Sequence, residues 1–485
     1  SRYVTTISIL FKLLFEKKSQ FIRDFFITMN KKNRTCGHAR RLIGAQPFTR
    51  EQRMNSFATL VRSPAARSLS VRSLSRVSKR WEPGALAEKL AQRPQVSVSM
   101  QSLLDTAMGL NRHRVPGARK DTSMPVEMQV ARFLHRELPV RFAHRIVELK
   151  NLPHGLANEE SVVTVREWYE QSLLDIYHHD MIIEDADEQR FRETIDRVYA
   201  RHAATLETMA QGIQEFKGSI SGRPLYEFSD IHSFLDRFYL SRIGIRMLIG
   251  QYLAIAAEAD GGSSSSPFSG GGGGDDGMVV RTKSSKQGRM RVTERSQIGL
   301  IKRDSCPYTI AQHAIDEARY VCAREFGEAP EVVIRGNQDR TFAYVPSHLH
   351  YMLFELLKNS LRAVYEKHGD SVEGMPPVEV IIADGKDNED VVIKIADEGG
   401  GIRRSSQAHI FSYLFTTADL DIEKALLEDD FDRNSPMAGF GYGLPIARLY
   451  ARYFGGDLNI MSMEGFGTDA FIYLSRLTNN KEPLA

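Results

Sequence analysis

Between Phe354 and Ala363 the sequence reads FELLKNSLRA, which sets a carboxylate, an amide and a guanidinium close together. At about 100° per residue, Glu355, Asn359 and Arg362 fall within roughly 60° of one another. Leu353, Leu357 and Val364 fall on the opposite side. Such a helix would pack with one face and offer a proton acceptor, a metal-ligating amide and an anion-binding group on the other. The ordinary alternative is a solvated polar face with an ion pair across a turn. A second segment, ADEGGGI at 396–402, follows a β-branched run. Asp397 at a strand end can accept a hydrogen bond from an exocyclic amine such as that of adenine. Gly399 and Gly401 permit positive φ and close backbone approach to a ligand, or simply make a tight turn. In AGFGYGLPIARLY, 438–450, Gly439, Phe440, Gly441, Tyr442, Gly443 and Leu444 lead into residues with helical apolar spacing. Successive N–H groups in a glycine-rich turn at a helix N-terminus suit phosphate oxygens. GFGT at 465–468 precedes a last strand and offers Thr468 to close the same pocket.

These groups need elements to hold them. From about Gly84 to Glu258 the pattern is helical, in Val126–Asn151, Thr164–His179, Asp187–Phe216 and Ile231–Ala259, which predicts a bundle of about four helices. The run GGSSSSPFSGGGGGDDG at 261–277 has eight glycines and five serines and reads as a flexible insertion. Beyond it, helix-like Thr309–Phe326 and Leu349–Lys367 alternate with strand-like segments. Val378–Ala383 and Val391–Ala396 flank the turn-rich DGKDNED and predict a hairpin, and Ala470–Leu474 a final strand. The expected fold class is α+β multidomain. Its parts are a basic N-terminus over 1–83, a helical bundle over 84–260, the insertion over 261–277, an α/β domain over 278–477 and a short tail over 478–485.

Composition excludes several classes. The 485 residues carry 64 Lys/Arg and 61 Asp/Glu, but residues 1–80 alone hold 18 basic and three acidic side chains. The remainder is net acidic, so no nucleic-acid partner is expected for the folded part. Cys36, Cys306 and Cys322 form no CxxC pair and no disulfide framework. No uncharged apolar stretch reaches about 18 residues, so no membrane span is expected. The chain opens at Ser1, and residues 1–53 show no pattern of their own. From Met54 to Arg80 there are six basic residues, seven serines and no acids, the composition of a mitochondrial or plastid transit peptide.

Taken in order and spacing, the Glu/Asn helix, the strand ending DxGxG, the GxGxG turn and the GxGT strand resemble the Bergerat ATP-binding fold. That fold is shared by gyrase, the mismatch-repair ATPases, the ninety-kilodalton heat-shock chaperone and histidine kinases. No Walker A sequence and no HRD…DFG set is present, which excludes an ordinary protein kinase fold. The resemblance narrows further. PSHLHYMLFELLKNSLRA (346–363), FTTAD (415–419), AGFGYGLPIARLYARYFGGDL (438–458) and SMEGFGTDAFIYL (462–474) are similar to the mitochondrial pyruvate dehydrogenase kinases. So are FLHRELPVRFAHRI (133–146), REWYEQSLLDI (166–176), TMAQGIQEFK (208–217) and FLDRFYLSRIGIRML (234–248). A histidine kinase would need a phospho-accepting histidine, for which His232 near Asp230 is a candidate, but the surrounding sequence follows the serine-phosphorylating family.

The resemblance implies an ATP- and Mg²⁺-dependent protein-serine kinase of the mitochondrial matrix. Its substrate would be the decarboxylase α subunit of the pyruvate dehydrogenase complex, which it would inactivate. Glu355 would be the general base and Asn359 the Mg²⁺ ligand. Leu356, Leu357, Lys358, Ser360, Leu361 and Arg362 complete the nucleotide-binding helix, with Lys358 and Arg362 adding positive charge. Asp397 would select adenine, Thr416 and Thr417 would contact the nucleotide, Gly439–Leu444 would cover the phosphates, and Thr468 would close the pocket. The resemblance also implies a homodimer formed through the ATP-domain sheet and docking on the lipoyl domain of the acyltransferase core. Tyr169, Ser172, His202, Arg242 and Arg246 match positions around a small-anion regulatory pocket. Two arginines four apart can cradle a carboxylate, and pyruvate is the hypothesis, with a structural ion-pair network as the alternative. His178, His179 and Asp180 are a metal site or, more ordinarily, a solvated helix end. Two departures stand out. Tyr351 replaces the histidine that pyruvate-type members place one turn before the base, with His350 beside it, and tyrosine there resembles the branched-chain 2-oxoacid dehydrogenase kinase. The tail, TNNKEPLA, is shorter than in animal pyruvate-type members and similar in length to the plant ones, which leaves the docking mode open. The alternatives are therefore a branched-chain kinase and a non-catalytic ATP-binding docking protein.

Overall fold

The computed structural model describes residues 83–110, 124–219, 225–260, 296–369, 374–385, 389–415 and 441–484. The expected targeting segment and Gly/Ser insertion lie outside the described residues, as do Thr416, Thr417, Gly439 and Phe440. The helical half comprises α1 (Pro83–Leu90), α2 (Met100–Ala107), α3 (Val126–Lys150), α4 (Glu160–Tyr177), α5 (Asp185–Arg201), α6 (Thr205–Ser219) and α7 (Ser229–Ala259). Leu134, Phe142, Val165, Leu173, Phe191, Ile213 and Phe234 meet in its core, each buried. These residues recur at three- and four-residue spacing, so each helix turns one apolar stripe inward.

The single helix expected over Asp187–Phe216 is two. Helix α5 stops at Arg201, and α6 restarts at Thr205. His202 caps the break and turns its ring inward rather than continuing the helix. No Gly or Pro marks the place, so apolar periodicity runs through it unbroken.

The second half begins with a small antiparallel sheet, β1 (Gln297–Ile298), β2 (Ile301–Ser305) and β4 (Phe342–Tyr344), which the sequence pattern did not suggest. The tight turn at Gly299, φ 63°, lies on α7, where Gln251 bonds Leu300 N at 2.7 Å and Ile298 O at 3.1 Å. The main sheet has five strands in the order β3-β5-β6-β8-β7. They are β3 (Val332–Arg335), β5 (Val378–Ala383), β6 (Asp390–Asp397), β7 (Asp457–Met463) and β8 (Gly467–Ser475). Only β3 and β5 are parallel, and β5–β6 is the expected hairpin. One face, with Val378, Val380, Ile393, Ile395, Ile472 and Leu474, is buried under helices α8 (Pro307–Phe326), α9 (Pro346–His368) and α11 (Gly443–Tyr453). The other face carries Lys394, Asp469, Phe471 and Tyr473, all partly exposed. The short α10 (Arg404–Gln407) follows the glycine turn. Among the described residues no helix is long and apolar enough to cross a membrane.

Helix α9 is the element that joins core and site. Leu353, Leu357, Leu361 and Val364 are fully buried on its sheet-facing side. Leu357→Ala is expected to destabilise the protein by about 2–5 kcal/mol, read from the denaturation midpoint at unchanged slope. A loss below 1 kcal/mol would show that this stripe is not the anchor of the helix.

Candidate active site

The register of β6 on β8 sets Asp397 opposite Thr468, so the two strand ends present both residues to one cleft. The Asp397 carboxylate is buried and accepts from Ser360 Oγ at 2.9 Å, from the Gly399 N–H at 3.0 Å and from the Thr468 N–H at 3.3 Å. Burial nevertheless pushes its carboxyl above the ordinary carboxylate range, with those three bonds pulling the other way. Behind it, Thr468 Oγ1 and Ser462 Oγ lie 3.0 Å apart, and the Ile402 N–H donates to Ser462 Oγ at 2.7 Å.

Close approach explains the glycines. A Cβ at Gly399 would lie 2.5 Å from Ala363 Cβ, so the turn rests directly on α9. Gly441 has φ 76° and backbone of Leu414 and Phe415 against it. At Gly443 a side chain would meet the Glu355 carboxylate. Glu355 thus lies between the glycine that starts α11 and the Lys358 ammonium, 3.0 Å away. Lys358 is buried, with its Nζ 5.1 Å over the Phe354 ring. Arg362 pairs with Glu366 at 3.2 Å on the rim.

A cleft of about 230 Å³ gathers Glu355, Leu356, Asn359, Ser360, Arg362, Asp397, Gly399, Gly401, Gly441, Gly443, Leu444 and Thr468. Apolar Ile402, Ile410, Phe415, Ile460 and Ala470 complete its lining. Among the described residues, four that were expected to bind nucleotide do not line it. Leu357 and Leu361 occupy the packed side of α9, and Lys358 reaches the cleft only through Glu355. Tyr442 turns the other way, against Tyr239 of α7 and Tyr413 at 5.9 and 5.4 Å between ring centroids. Sequence reading missed Ser462, which sits in an alternating strand with no local signal.

Among the described residues no hydrogen bond or ion pair joins a histidine to Glu355. His350 faces Glu317 of α8 at 3.1 Å, and Tyr351 packs against Tyr450 at 5.1 Å between centroids. His232 lies outside the cleft, its Nε2 3.2 Å from Leu225 O and its ring stacked on Tyr413.

The second cluster forms inside the bundle. Tyr169 and Ser172 come from α4, His202 from the α5–α6 break, and Arg242 and Arg246 from α7; the first four are buried. The Tyr169 and His202 rings are 4.5 Å apart. Arg242 donates to Ala203 O at 3.2 Å, and Arg246 donates to Tyr199 OH at 2.7 Å while stacking on that ring. Arg201, which the sequence analysis did not single out, donates to Ser172 Oγ at 2.7 Å and to Asp175 at 2.7 Å. The Ser172 hydroxyl and His202 Nε2 lie 3.0 Å apart, within hydrogen-bond reach of each other. Burial, reinforced by Arg242, Arg201 and Arg246, pulls the His202 pKa down to about 3. His178, His179 and Asp180 end α4, and no group of three or more metal-ligating side chains occurs among the described residues.

A two-layer nucleotide-site domain behind a helical half is a combination that known proteins share. Residues 344–478 match the family model described as "Histidine kinase-, DNA gyrase B-, and HSP90-like ATPase". Residues 97–283 match "Mitochondrial branched-chain alpha-ketoacid dehydrogenase kinase". The chain is 44% identical over 365 residues to "[Pyruvate dehydrogenase (acetyl-transferring)] kinase, mitochondrial" of Arabidopsis thaliana, covering 75% of this chain and 89% of that one. It is 38% identical over 359 residues to isozyme 4 of that kinase in Homo sapiens, covering 72% and 76%. The Schizosaccharomyces pombe kinase of the same name is 32% identical over 465 residues, covering 81% and 96%. The chain belongs to the mitochondrial pyruvate dehydrogenase kinase family, a family of ATP-using protein kinases.

The depressed His202 pKa fixes a direction for stability. Between pH 6.5 and about 3 the unfolded chain holds a proton that the folded one refuses. This contribution is fully present above pH 6.5 and is lost as pH falls through that window. His202→Phe is expected to flatten the acid limb of a stability–pH curve there. An unchanged slope would mean that His202 is not the group refusing the proton.

Proposed function

We propose that this protein is the mitochondrial protein-serine kinase that phosphorylates the decarboxylase α subunit of the pyruvate dehydrogenase complex and so inactivates it. The observation that carries this reading is the position of Glu355. Its carboxylate stands at the cleft wall, held by Lys358 and pressed against the first glycine of α11. A serine hydroxyl entering between them would pass its proton to Glu355 as its oxygen attacks the γ-phosphorus of ATP, while the bond from that phosphorus to the β–γ bridging oxygen breaks and ADP leaves. Asp397 would accept from the adenine amine. The N–H groups at the start of α11 would bind phosphate oxygens. The Asn359 amide oxygen, the hard donor on the same helix face, fits Mg²⁺, with phosphates and water as remaining ligands. That ion would neutralise phosphate charge. Orientation and charge compensation suffice for this chemistry, which needs no covalent enzyme intermediate.

In this reading 278–477 is the catalytic domain, and 84–260 the regulatory and docking domain that meets the lipoyl domain. The homodimer forms through the main sheet. Strand β7 is one of its two edges among the described residues, with β3 the other, and exposes Met461 and Met463 beside the partly exposed Phe471–Tyr473 face. The cluster around His202 is a regulatory anion pocket, supported by three guanidinium groups gathered about a neutral imidazole. A branched-chain substrate is the second reading, which Tyr351 favours. A docking-only protein has no use for a cleft that brings Glu355, Asn359 and Asp397 together.

Labelled γ-phosphate from ATP is expected on serine of the pyruvate decarboxylase α subunit when both decarboxylases are offered side by side. Label on the branched-chain subunit alone would overturn the substrate, and none on either the activity. Glu355→Gln is expected to lower kcat by about 10²- to 10⁴-fold with ATP binding kept, and retained transfer would remove Glu355 from the base role. Separately, millimolar pyruvate is expected to inhibit the wild type but not Arg246→Ala. Unchanged wild-type activity across the titration would overturn the anion-pocket reading.

A further inference from the structure

One buried carboxylate has no part in the chemistry above. After β8 the chain turns back along residues 96–101 of the helical half. The Gln101 N–H donates to Thr478 O and the Glu482 N–H to Val98 O, both at 2.7 Å, and Ser99 pairs with Lys481 as an antiparallel bridge. Ser97 Oγ donates to Glu482 O at 2.8 Å. This pairing carries the Glu482 side chain inward, where the residue is only 4% exposed. Its carboxylate accepts from both terminal nitrogens of Arg141 on α3, from the Val98 N–H at 3.1 Å and from Tyr453 OH at 2.8 Å. Arg141, 1% exposed, spends its remaining donors on Glu137 at 3.1 Å and Val96 O at 2.8 Å. Helix α7 makes room, since a Cβ at Gly244 would lie 2.8 Å from Glu482 Oε2.

Tyr453 is the last residue of α11, and the first residues of α11, Gly443, Leu444 and Pro445, line the cleft. Eleven helical residues make a rod of about 16 Å. One end of the rod abuts Glu355, and the other is bonded to Glu482. A buried carboxylate with four donors is an expensive group to keep unless its geometry is used, because losing any partner leaves charge uncompensated. We propose that Glu482 is a positioning residue for the nucleotide cleft: by holding Tyr453 it fixes the angle at which α11 presents its N-terminal amides to phosphate. The proposal rests on the reading of the cleft as an ATP site.

The test uses the full chain and four variants: Glu482→Gln, Tyr453→Phe, the two combined, and Thr478→Ala. The last loosens the returning segment without touching the carboxylate. ATP affinity is measured by calorimetry, alongside thermal midpoint and the split between KM for ATP and kcat. Glu482→Gln and Tyr453→Phe are each expected to weaken ATP binding about three- to tenfold, with KM rising and kcat nearly unchanged. The double variant is expected to be no worse than the weaker single one, because both changes break the same link. Thr478→Ala is expected to lower the thermal midpoint with ATP affinity kept. Lower midpoints in all four with wild-type ATP affinity would overturn the proposal and leave Glu482 a structural clasp. Should Glu482→Gln not fold, Tyr453→Phe decides alone, since it removes only a hydroxyl. A wild-type protein that binds no ATP would overturn the ATP reading itself, a result distinct from either.

Discussion

The contact on which the site depends is that between α9 and the glycine turn at the end of β6. Gly399 lies against Ala363, and Ser360 on the same helix donates to Asp397 on the strand. That close approach puts a helix bearing Glu355 and Asn359 and a strand end bearing Asp397 around one space. It also explains the composition of α9. One face must pack on the sheet, as Leu353, Leu357, Leu361 and Val364 do. The other must stay polar, because it is the wall of a cleft. Burial of Asp397 disfavours its charged form, and the chain answers with three donors rather than with a cation. A carboxylate arranged in this way keeps an acceptor surface for an incoming donor.

The two polar clusters solve opposite problems. At Glu355 a single buried ammonium, Lys358, offsets a single carboxylate, and the pair leaves little net charge beside a site that must admit polyanionic phosphate. In the bundle, Arg201, Arg242 and Arg246 lie near an imidazole that burial keeps neutral, and their charge reinforces the effect. Asp175 pairs with Arg201 there, so this cluster joins α4 to the end of α5 through charge as well as through packing.

Much of this was legible in the sequence for a simple reason. Long amphipathic helices and alternating strands write their periodicity into ten or more residues, so α3, α4, α7, α9 and the β5–β6 hairpin could be placed within a few positions. Glycines with forced φ or close neighbours, such as Gly401 and Gly441, marked the cleft because no other residue fits. What escaped was set by tertiary contact. The strands β1, β2 and β4 have two to five residues each, too few for a pattern. The break at His202 depends on a hydrogen bond to Ser172, thirty positions away. Leu357 and Leu361 were grouped with the nucleotide helix as one contiguous motif, whereas a helix can offer a cleft only part of its circumference. Glu482 sits near the end of a short tail with no local pattern, and its pairing with Arg141 is what buries it.

Tyr442 joins the glycine turn to the helical half. Gly441 and Gly443 offer a ligand only backbone, so Tyr442 between them is released for other contacts. Tyr442 uses that freedom to stack with Tyr239 and Tyr413, and Tyr413 OH bonds Asp236 of α7 at 2.6 Å. Tyr239 and Asp236 lie on the same helix as Arg242 and Arg246. One helix therefore carries the arginines beside His202 and the aromatic seat of the glycine turn. A shift of α7 by a fraction of a turn would move both, because packed cores have discrete rather than graded arrangements. Coupling between the two sites then needs no path of side chains across the molecule, only a rigid element that both sites share.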